Sequence, residues 1–453
     1  MPTLSPARTI CLGFLLVIAI GTSLLLLPWS TASGEWTPWL VALFTSTSAV
    51  CVTGLAVVDT GSYYSFFGQL VILLLIQVGG LGYMSATTFL LLLVGRRISL
   101  RNRLALQEAL GSLGDKAVPR LVARVAILTL GFELVGALVI APTMVRQEGL
   151  LPGLWSAIFH SVSAFNNAGF GLRSDNLIPW QNNFWVLGGL GFLILAGGLG
   201  YQVWIELYEK ILLRLVRQIF GKQPAPPAPL SLHTRVVLLT SAILVVVGSV
   251  GFFLIERTNA LTLGRLSLDA QVAGAIFHSI SARTAGFNAV PFDGLLEAGL
   301  FWIILLMLIG ASPASTGGGL KTTTFAILVS NMLAVIQGRE DVLLFDRRLG
   351  VGAVRKASAV LLGSIAAIAV ALVGLTLSDP EPGFVQVLFE AVSAFCTVGL
   401  STGITPKLSV VGQLILVFSM YLGRVGVLLL AEALLSQKPT FPYRQPEEQI
   451  LIG

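Results

Sequence analysis

"IFHSVSAFNNAGF", residues 158–170, places two asparagines and a glycine where an apolar helix ought to run on. The wording recurs as "LFTSTSAVCVTGL" (43–55), "IFHSISARTAGF" (276–287) and "LFEAVSAFCTVGL" (388–400). Aligned on the last glycine of each, Gly54, Gly169, Gly286 and Gly399, the copies stand 115, 117 and 113 residues apart. Four such periods use up the chain, so the repeat is the architecture.

Hydrophobic residues make up 55% of the sequence and charged residues only 11%, with a mean hydropathy of +0.87. Soluble domains carry about a quarter charged residues, so this is a polytopic membrane protein. Apolar runs near 9–27, 70–94, 121–140, 184–205, 236–255, 301–309, 357–377 and 408–434 mostly approach the ~20 residues that cross a bilayer as helix. They predict eight crossings, one of them interrupted. The first run lacks a convincing small-residue cleavage site and is expected to be a retained span.

The net charge of +6 does not point to nucleic acid, because of where it falls. Seven Lys/Arg lie in 96–124, five in 210–235 and five in 339–356; Arg8, Lys438 and Arg444 bring one side to twenty. The other side carries six: Arg146, Arg173, Arg257, Arg265, Arg283 and Lys407. The positive-inside rule then puts both termini in the cytoplasm and the repeated stretches outside.

Each period reads as span, short amphipathic segment ending in the glycine motif, span. The basic segments before and after each motif fall on one side, so two crossings exhaust the topology and the motif must dip in and return. Irregular backbone at membrane depth is tolerated only where protein buries it or water lines it. Four re-entrant loops meet that condition by facing one another around an axis, in pseudo-fourfold symmetry. The short helix before each glycine would aim its partially negative C-terminus at the bilayer centre, which favours a cation. Glycine then allows φ > 0 and turns carbonyls toward the axis, where they replace an ion's water. Thr53, Asn166, Asn167, Thr284 and Thr397 are expected to brace or complete that ring. The glycines of "GGLGY" at 79–83 and 197–201 are assigned to packing or bending.

In the third period the second span stops at "LIGASPASTGGGLKTTT", residues 308–324. Pro313 and three successive glycines break a helix. The likeness to a phosphate-binding loop is superficial, since Leu320 separates Gly319 from Lys321 and no strand precedes it. A plug that moves to let ions pass is the expected role. At matching depth in the fourth period Arg424 lies inside an apolar span, where a charge normally faces a cavity or partner; it is expected to face the axis and touch Gly317–Gly319. Arg283 and Glu390 are weighed as a pair behind the loops, against separate exposure at the outer mouth. Cys11, Cys51 and Cys396 offer no metal or disulfide pattern. His160 and His278 are expected to serve helix packing, and no enzyme site is visible. The rival reading, a coupled transporter of small solutes, usually shows two broken helices in related halves, whereas the sequence announces one break.

With "CVTGL", "NNAGF", "RTAGF" and "CTVGL" as loop motifs, the "ASTGGGLKTTT" break and Arg424, nearly the whole chain resembles the Trk/Ktr/HKT superfamily of potassium transporters, and within it the Ktr branch of bacterial membrane subunits. The resemblance implies an all-α fold of four tandem helix–pore loop–helix units, at 1–103, 104–222, 223–345 and 346–453, around a central pore. It implies a potassium filter of Val52, Thr53, Gly54, Asn167, Ala168, Gly169, Thr284, Ala285, Gly286, Thr397, Val398 and Gly399. It implies a gate, an intramembrane loop spanning 310–324, in which Gly310, Ala311, Ser312, Pro313, Ala314, Ser315, Thr316, Gly317, Gly318, Gly319 and Lys321 act with Arg424. Members with serine in the first loop admit sodium; Gly54 favours potassium. The resemblance further implies potassium as transported ion, sodium as candidate activator with no site visible here, no cofactor, a homodimer, a cytosolic ring of nucleotide-binding regulatory subunits, and a bacterial plasma (inner) membrane.

Overall fold

The computed structural model describes residues 6–82, 118–212 and 229–434. The expected boundaries near 103 and 222, most of the basic segment 96–124, Tyr83, and the tail with Lys438 and Arg444 lie outside the described residues. The described chain is helical apart from loops and one small hairpin pairing Leu343–Leu344 with Arg347–Arg348.

Helices come in a recurring order. First helices are α1 (Pro6–Leu26), α4 (Val118–Glu148), α8 (Leu232–Glu256) and α12 (Val351–Ser378). Short helices follow them: α2 (Trp39–Val50), α5 (Leu150–Phe165), α9 (Leu268–Ser281) and α13 (Phe384–Phe395). Second helices are α3 (Phe66–Leu81), α6 (Phe184–Leu199) continued by α7 (Tyr201–Leu207), α10 (Glu297–Leu308) resumed at α11 (Thr322–Ile336), and α14 (Val410–Val425) continued by α15 (Val427–Leu434).

Among the described residues the four first helices are long and apolar enough to cross a membrane alone, and two bent pairs qualify together. Their outward faces are apolar, with Leu130, Leu134 and Leu138 exposed on α4 and Val246, Val250 and Leu254 on α8. Such stripes are stable only against lipid or another apolar surface. α1 is packed into the fold, its Cys11 carbonyl accepting a bond from Tyr421 Oη at 3.0 Å. All three cysteines are buried and unpaired.

Local chemistry sets the helix starts. Ser65, Asn183 and Ser409 cap α3, α6 and α14 by accepting from backbone N–H groups of the first turn, as N-cap side chains do. α10 lacks such a side chain, and Glu256 at the end of α8 takes over, accepting from Leu296 N at 3.0 Å. Asp379 at the end of α12 likewise accepts from Ser409 N at 2.6 Å.

The expectation of one broken helix needs correction. Gly82, Gly200 and Gly426 all have positive φ (77°, 90° and 91°) and end their helices. α6 and α7 meet at 98°, α14 and α15 at 94°. These glycines close the aligned strings "GGLG" (79–82), "GGLG" (197–200) and "GRVG" (423–426). Every second helix therefore stops at a corresponding place, and the third unit differs by inserting a loop there. That loop is also shorter than expected: Thr322, Thr323 and Thr324 already belong to α11.

Candidate ion pathway

Each short helix ends fully buried and hands over to three residues with one backbone signature. Val52, Asn167, Thr284 and Thr397 have φ of 56°, 57°, 76° and 51°, and Gly54, Gly169, Gly286 and Gly399, two residues on, have 93°, 71°, 75° and 89°. A non-glycine residue in the left-handed region is uncommon, and four at one repeat position mark a backbone held for function. Between them stand Thr53, Ala168, Ala285 and Val398, all buried.

The four segments meet in cyclic order. A Cβ built on Gly54 would lie 2.5 Å from Ala168 O and 2.9 Å from Gly169 Cα; one on Gly169, 2.8 Å from Ala285 O and 3.0 Å from Gly286 Cα. One on Gly286 would lie 2.6 Å from Val398 O and 3.2 Å from Gly399 Cα, and one on Gly399 would overlap Thr53 O and lie 3.0 Å from Gly54 Cα. Contact thus runs 54 to 169 to 286 to 399 and back to 54. No side chain fits at any of the four glycines without displacing a carbonyl.

Serines hold this backbone. Gly54 N donates to Ser48 Oγ at 3.0 Å and Gly399 N to Ser393 Oγ at 3.1 Å, while Ser393 Oγ donates to Leu400 O at 2.6 Å and Ser281 Oγ to Phe287 O at 2.5 Å. These serines open the "SA" shared by all four copies, a signal that the sequence itself carries. A second serine row pins short helices to first helices: Ser46 Oγ to Ile18 O at 2.8 Å, Ser161 Oγ to Glu133 O at 2.6 Å, and Ser279 Oγ to Val245 O at 3.0 Å.

The polar side chains expected at the ring divide. Thr53 Oγ1 and Thr397 Oγ1 are buried with no partner among the described residues. Thr284 Oγ1 lies 3.2 Å from the Asn167 amide, whose oxygen accepts from it once the nitrogen is turned to Ala164 O and Ile194 O, both at 3.1 Å. Asn166 does not face the ring; its Nδ2 donates to Glu133 Oε1 at 2.9 Å and Gln77 Oε1 at 3.1 Å.

Arg283 and Glu390 do not pair, nor do they lie exposed at a mouth. Arg283 Nη2 donates to Ser241 Oγ at 3.2 Å, whereas Glu390 accepts from Ser401 Oγ, Thr402 N and Thr405 Oγ1 at 2.5, 3.1 and 2.9 Å; both are buried. The reason is register. Glu390 aligns with His278, five residues before Arg283, so the two sit at different levels of their short helices. His278 does the matching task in the third copy: its Nδ1 meets Gly274 O at 2.7 Å and its Nε2 accepts from Ala289 N at 3.1 Å. Ala289 and Thr402 both stand three residues past their glycine. These positions anchor the segment leaving the ring as well as packing helices.

The loop at 310–319 sits directly against the ring. A Cβ on Gly317 would overlap Thr284 Oγ1, one on Gly318 would overlap Thr397 Oγ1, and one on Gly319 would lie 3.3 Å from Cys396 O. Ser312 N and Thr316 N donate to Gly198 O and Gly197 O at 2.9 and 3.3 Å, Tyr201 N to Ala314 O at 3.0 Å, and Thr316 Oγ1 to Phe165 O at 3.2 Å. At the loop's base Gly310 N donates to Leu320 O at 2.9 Å and Thr322 Oγ1 to Ser312 Oγ at 3.0 Å. Pro313 and Ser315 complete its turn, with Ser315 Oγ donating to Ser312 O at 2.5 Å, and Ala311 is buried beneath Gly317.

Two cations finish the arrangement, both half-buried. Lys321 Nζ donates to Gly317 O at 2.7 Å and Gly318 O at 3.4 Å. Arg424 donates through Nη1 to Thr316 O and through Nη2 to Gly79 O. It thus ties the loop to the first and fourth units, at Thr316 rather than at the expected Gly317–Gly319. Neither makes an ion pair among the described residues.

Four buried, glycine-lined segments thus close on one another in cyclic order, with a polar loop packed against them, in a protein whose long apolar helices suit a membrane. Residues 9–438 match the TrkH family, described as a cation transport protein, and the chain belongs to that family; it is a transport protein rather than an enzyme. It is 36% identical over 424 residues to Ktr system potassium uptake protein B of Bacillus subtilis, covering 94% of this chain and 92% of that protein. It is 38% identical to the protein of that name in Vibrio alginolyticus (98% and 94% covered) and 36% identical to potassium/sodium uptake protein NtpJ of Enterococcus hirae (99% and 98%). The crystal structure of the potassium transporter TrkH from Vibrio parahaemolyticus shares the fold, with a TM-score of 0.69 at 16% identity over 93% of this chain and 84% of that one.

Proposed function

We propose that the chain is the potassium-translocating membrane subunit of a bacterial uptake system, and that the ring of Gly54, Gly169, Gly286 and Gly399 is its filter. The observation that carries this is the cyclic closure of four segments sharing one left-handed backbone signature. Alternating left-handed residues turn successive carbonyls to one side, where they replace the water of a dehydrated ion. The hydroxyl of Thr397, unpartnered among the described residues and facing Gly318 of the loop, supplies a further oxygen at its base. The C-terminal ends of α2, α5, α9 and α13 add partial negative charge at the same centre.

The loop 310–319 with Lys321 and Arg424 is the gate. It contacts the base of the ring through Thr284 and Thr397, so ions pass only when it moves. Two cations beneath the filter oppose an ion's exit until it does. Movement is passive, since each monovalent cation gains about 2.3 kcal/mol per 100 mV of inside-negative potential. Eight crossings with both termini cytoplasmic, four pseudo-symmetric units, a bacterial plasma membrane, a homodimer and a cytosolic nucleotide-binding partner complete the reading. The relatives' name, Ktr system, agrees with a multi-component assembly. Sodium as an activator has support in the name of the Enterococcus relative.

Rubidium uptake into proteoliposomes holding the purified chain, driven by an inside-negative potential and without organic solute, tests the function. Uptake competed by potassium supports it. Uptake that requires an organic co-substrate overturns it in favour of a coupled solute transporter.

A further inference from the structure

The residues immediately before the left-handed position of each ring segment are Cys51, Asn166, Arg283 and Cys396. The two cysteines are unpaired thiols, and Arg283 has the single side-chain bond to Ser241. Asn166 is different. It is fully buried and lies within hydrogen-bond reach of three oxygens on three elements: Glu133 Oε1 on α4 (2.9 Å), Gln77 Oε1 on α3 (3.1 Å) and Val162 O on α5 (2.9 Å). Glu133 is itself only 5% exposed and makes no ion pair among the described residues, and its carbonyl is fixed by Ser161. A carboxyl at this depth is costly, and such groups are kept where they do a specific task.

Asn166 precedes Asn167, the left-handed residue whose carbonyl side enters the ring. Tethering the Asn166 amide to α3 and α4 fixes the rotation of the peptide that follows. We propose that Glu133, assisted by Gln77, is a positioning residue for ion discrimination: through Asn166 it holds the second ring segment at the spacing that favours potassium over the smaller sodium ion. The proposal rests on reading the ring as the filter, where carbonyl spacing and stiffness set selectivity. Of the four segments, the second is the one tied by its preceding side chain to both the first unit and the second.

The test is the reversal potential of the purified full chain in liposomes with potassium on one side and sodium on the other. This quantity does not depend on how many molecules are active, so a poorer yield cannot imitate a change. Glu133→Gln keeps an acceptor for Asn166 and is expected to hold the potassium-to-sodium permeability ratio within about twofold of wild type. Glu133→Leu and Asn166→Cys, the latter installing the residue of the first and fourth copies, are each expected to lower it about five- to tenfold. Because both act through one contact, the double variant is expected to be no lower than either single, as coupled sites require. If Glu133→Leu does not fold, Gln77→Leu supplies that arm, with an expected fall of about threefold.

A wild-type ratio in Glu133→Leu, effects that multiply in the double variant, or an equal loss in Glu133→Gln would overturn the proposal. Gly286→Ser in parallel separates this from the parent reading. Unchanged selectivity there removes the filter itself, while changed selectivity there with a normal Glu133→Leu removes only the clamp.

Discussion

Gly286→Ser should convert a potassium filter into a poorly discriminating one, and the structure sets the size of the effect. At φ 75° a side chain meets the left-handed penalty of roughly 1–2 kcal/mol. Its Cβ would stand 2.6 Å from Val398 O, and 3.1 and 3.2 Å from the Cα atoms of Gly169 and Gly399. Ordinary contact begins near 3.4 Å, so the Val398 carbonyl must retreat by roughly 0.8 Å. That carbonyl belongs to the neighbouring ring segment, so a change in the third unit distorts the fourth. If about 1.4 kcal/mol of the preference for potassium is lost, the permeability ratio falls about tenfold. Reversal potentials in mixed potassium and sodium, measured beside a melting curve to establish folding, read this directly. A folded Gly286→Ser protein with the wild-type ratio would refute the reasoning, because no adjustment of a closed glycine ring admits a Cβ without moving its oxygens.

Three further outcomes follow from named contacts. Arg424→Ala removes two charge-assisted bonds from the gate, each worth about 1.5–3 kcal/mol; if about 1.4 kcal/mol of this opposes loop movement, potassium flux per protein rises about tenfold in liposome assays. Ser393→Ala leaves the buried Gly399 N–H without its acceptor, so thermal stability should fall by about 1–3 kcal/mol with a parallel loss of selectivity. Asp379 lies outside the spans; burial would raise its pKa, but donors from Ser378 and Ser409 outweigh that and hold the carboxyl below its ordinary value. Its contribution is therefore present above the unfolded carboxylate pKa and lost as pH falls through the lowered folded one. Asp379→Ala should be less stable than wild type at neutral pH, with the gap closing below about pH 4 in melting curves.

The ring was legible because its units repeat: one spacing, read four times, located the four left-handed glycines that close on one another. The loop 310–319 was legible because Pro313 and Gly317–Gly319 forbid helix whatever surrounds them. Packing or bending was the reading at "GGLGY", and α6 does bend at Gly200; the matching bend at Gly426 was missed because "GRVG" reads as a charged interruption until aligned with "GGLG", and because glycine within a helix is ordinary in membranes. The Arg283–Glu390 pairing failed through attention to charge before register; the copies already placed Glu390 with His278. Nor could repeat logic reveal Asn166's partners, since Glu133 and Gln77 come from spans whose mutual rotation depends on packing.

The central claim is that an ion loses its water inside the ring. Anomalous diffraction from crystals of the full chain with thallium in place of potassium tests it most directly. A peak is expected on the axis enclosed by Gly54, Gly169, Gly286 and Gly399, displaced by excess potassium. A transport-competent protein whose thallium peaks all lie elsewhere, with the ring empty, would contradict it.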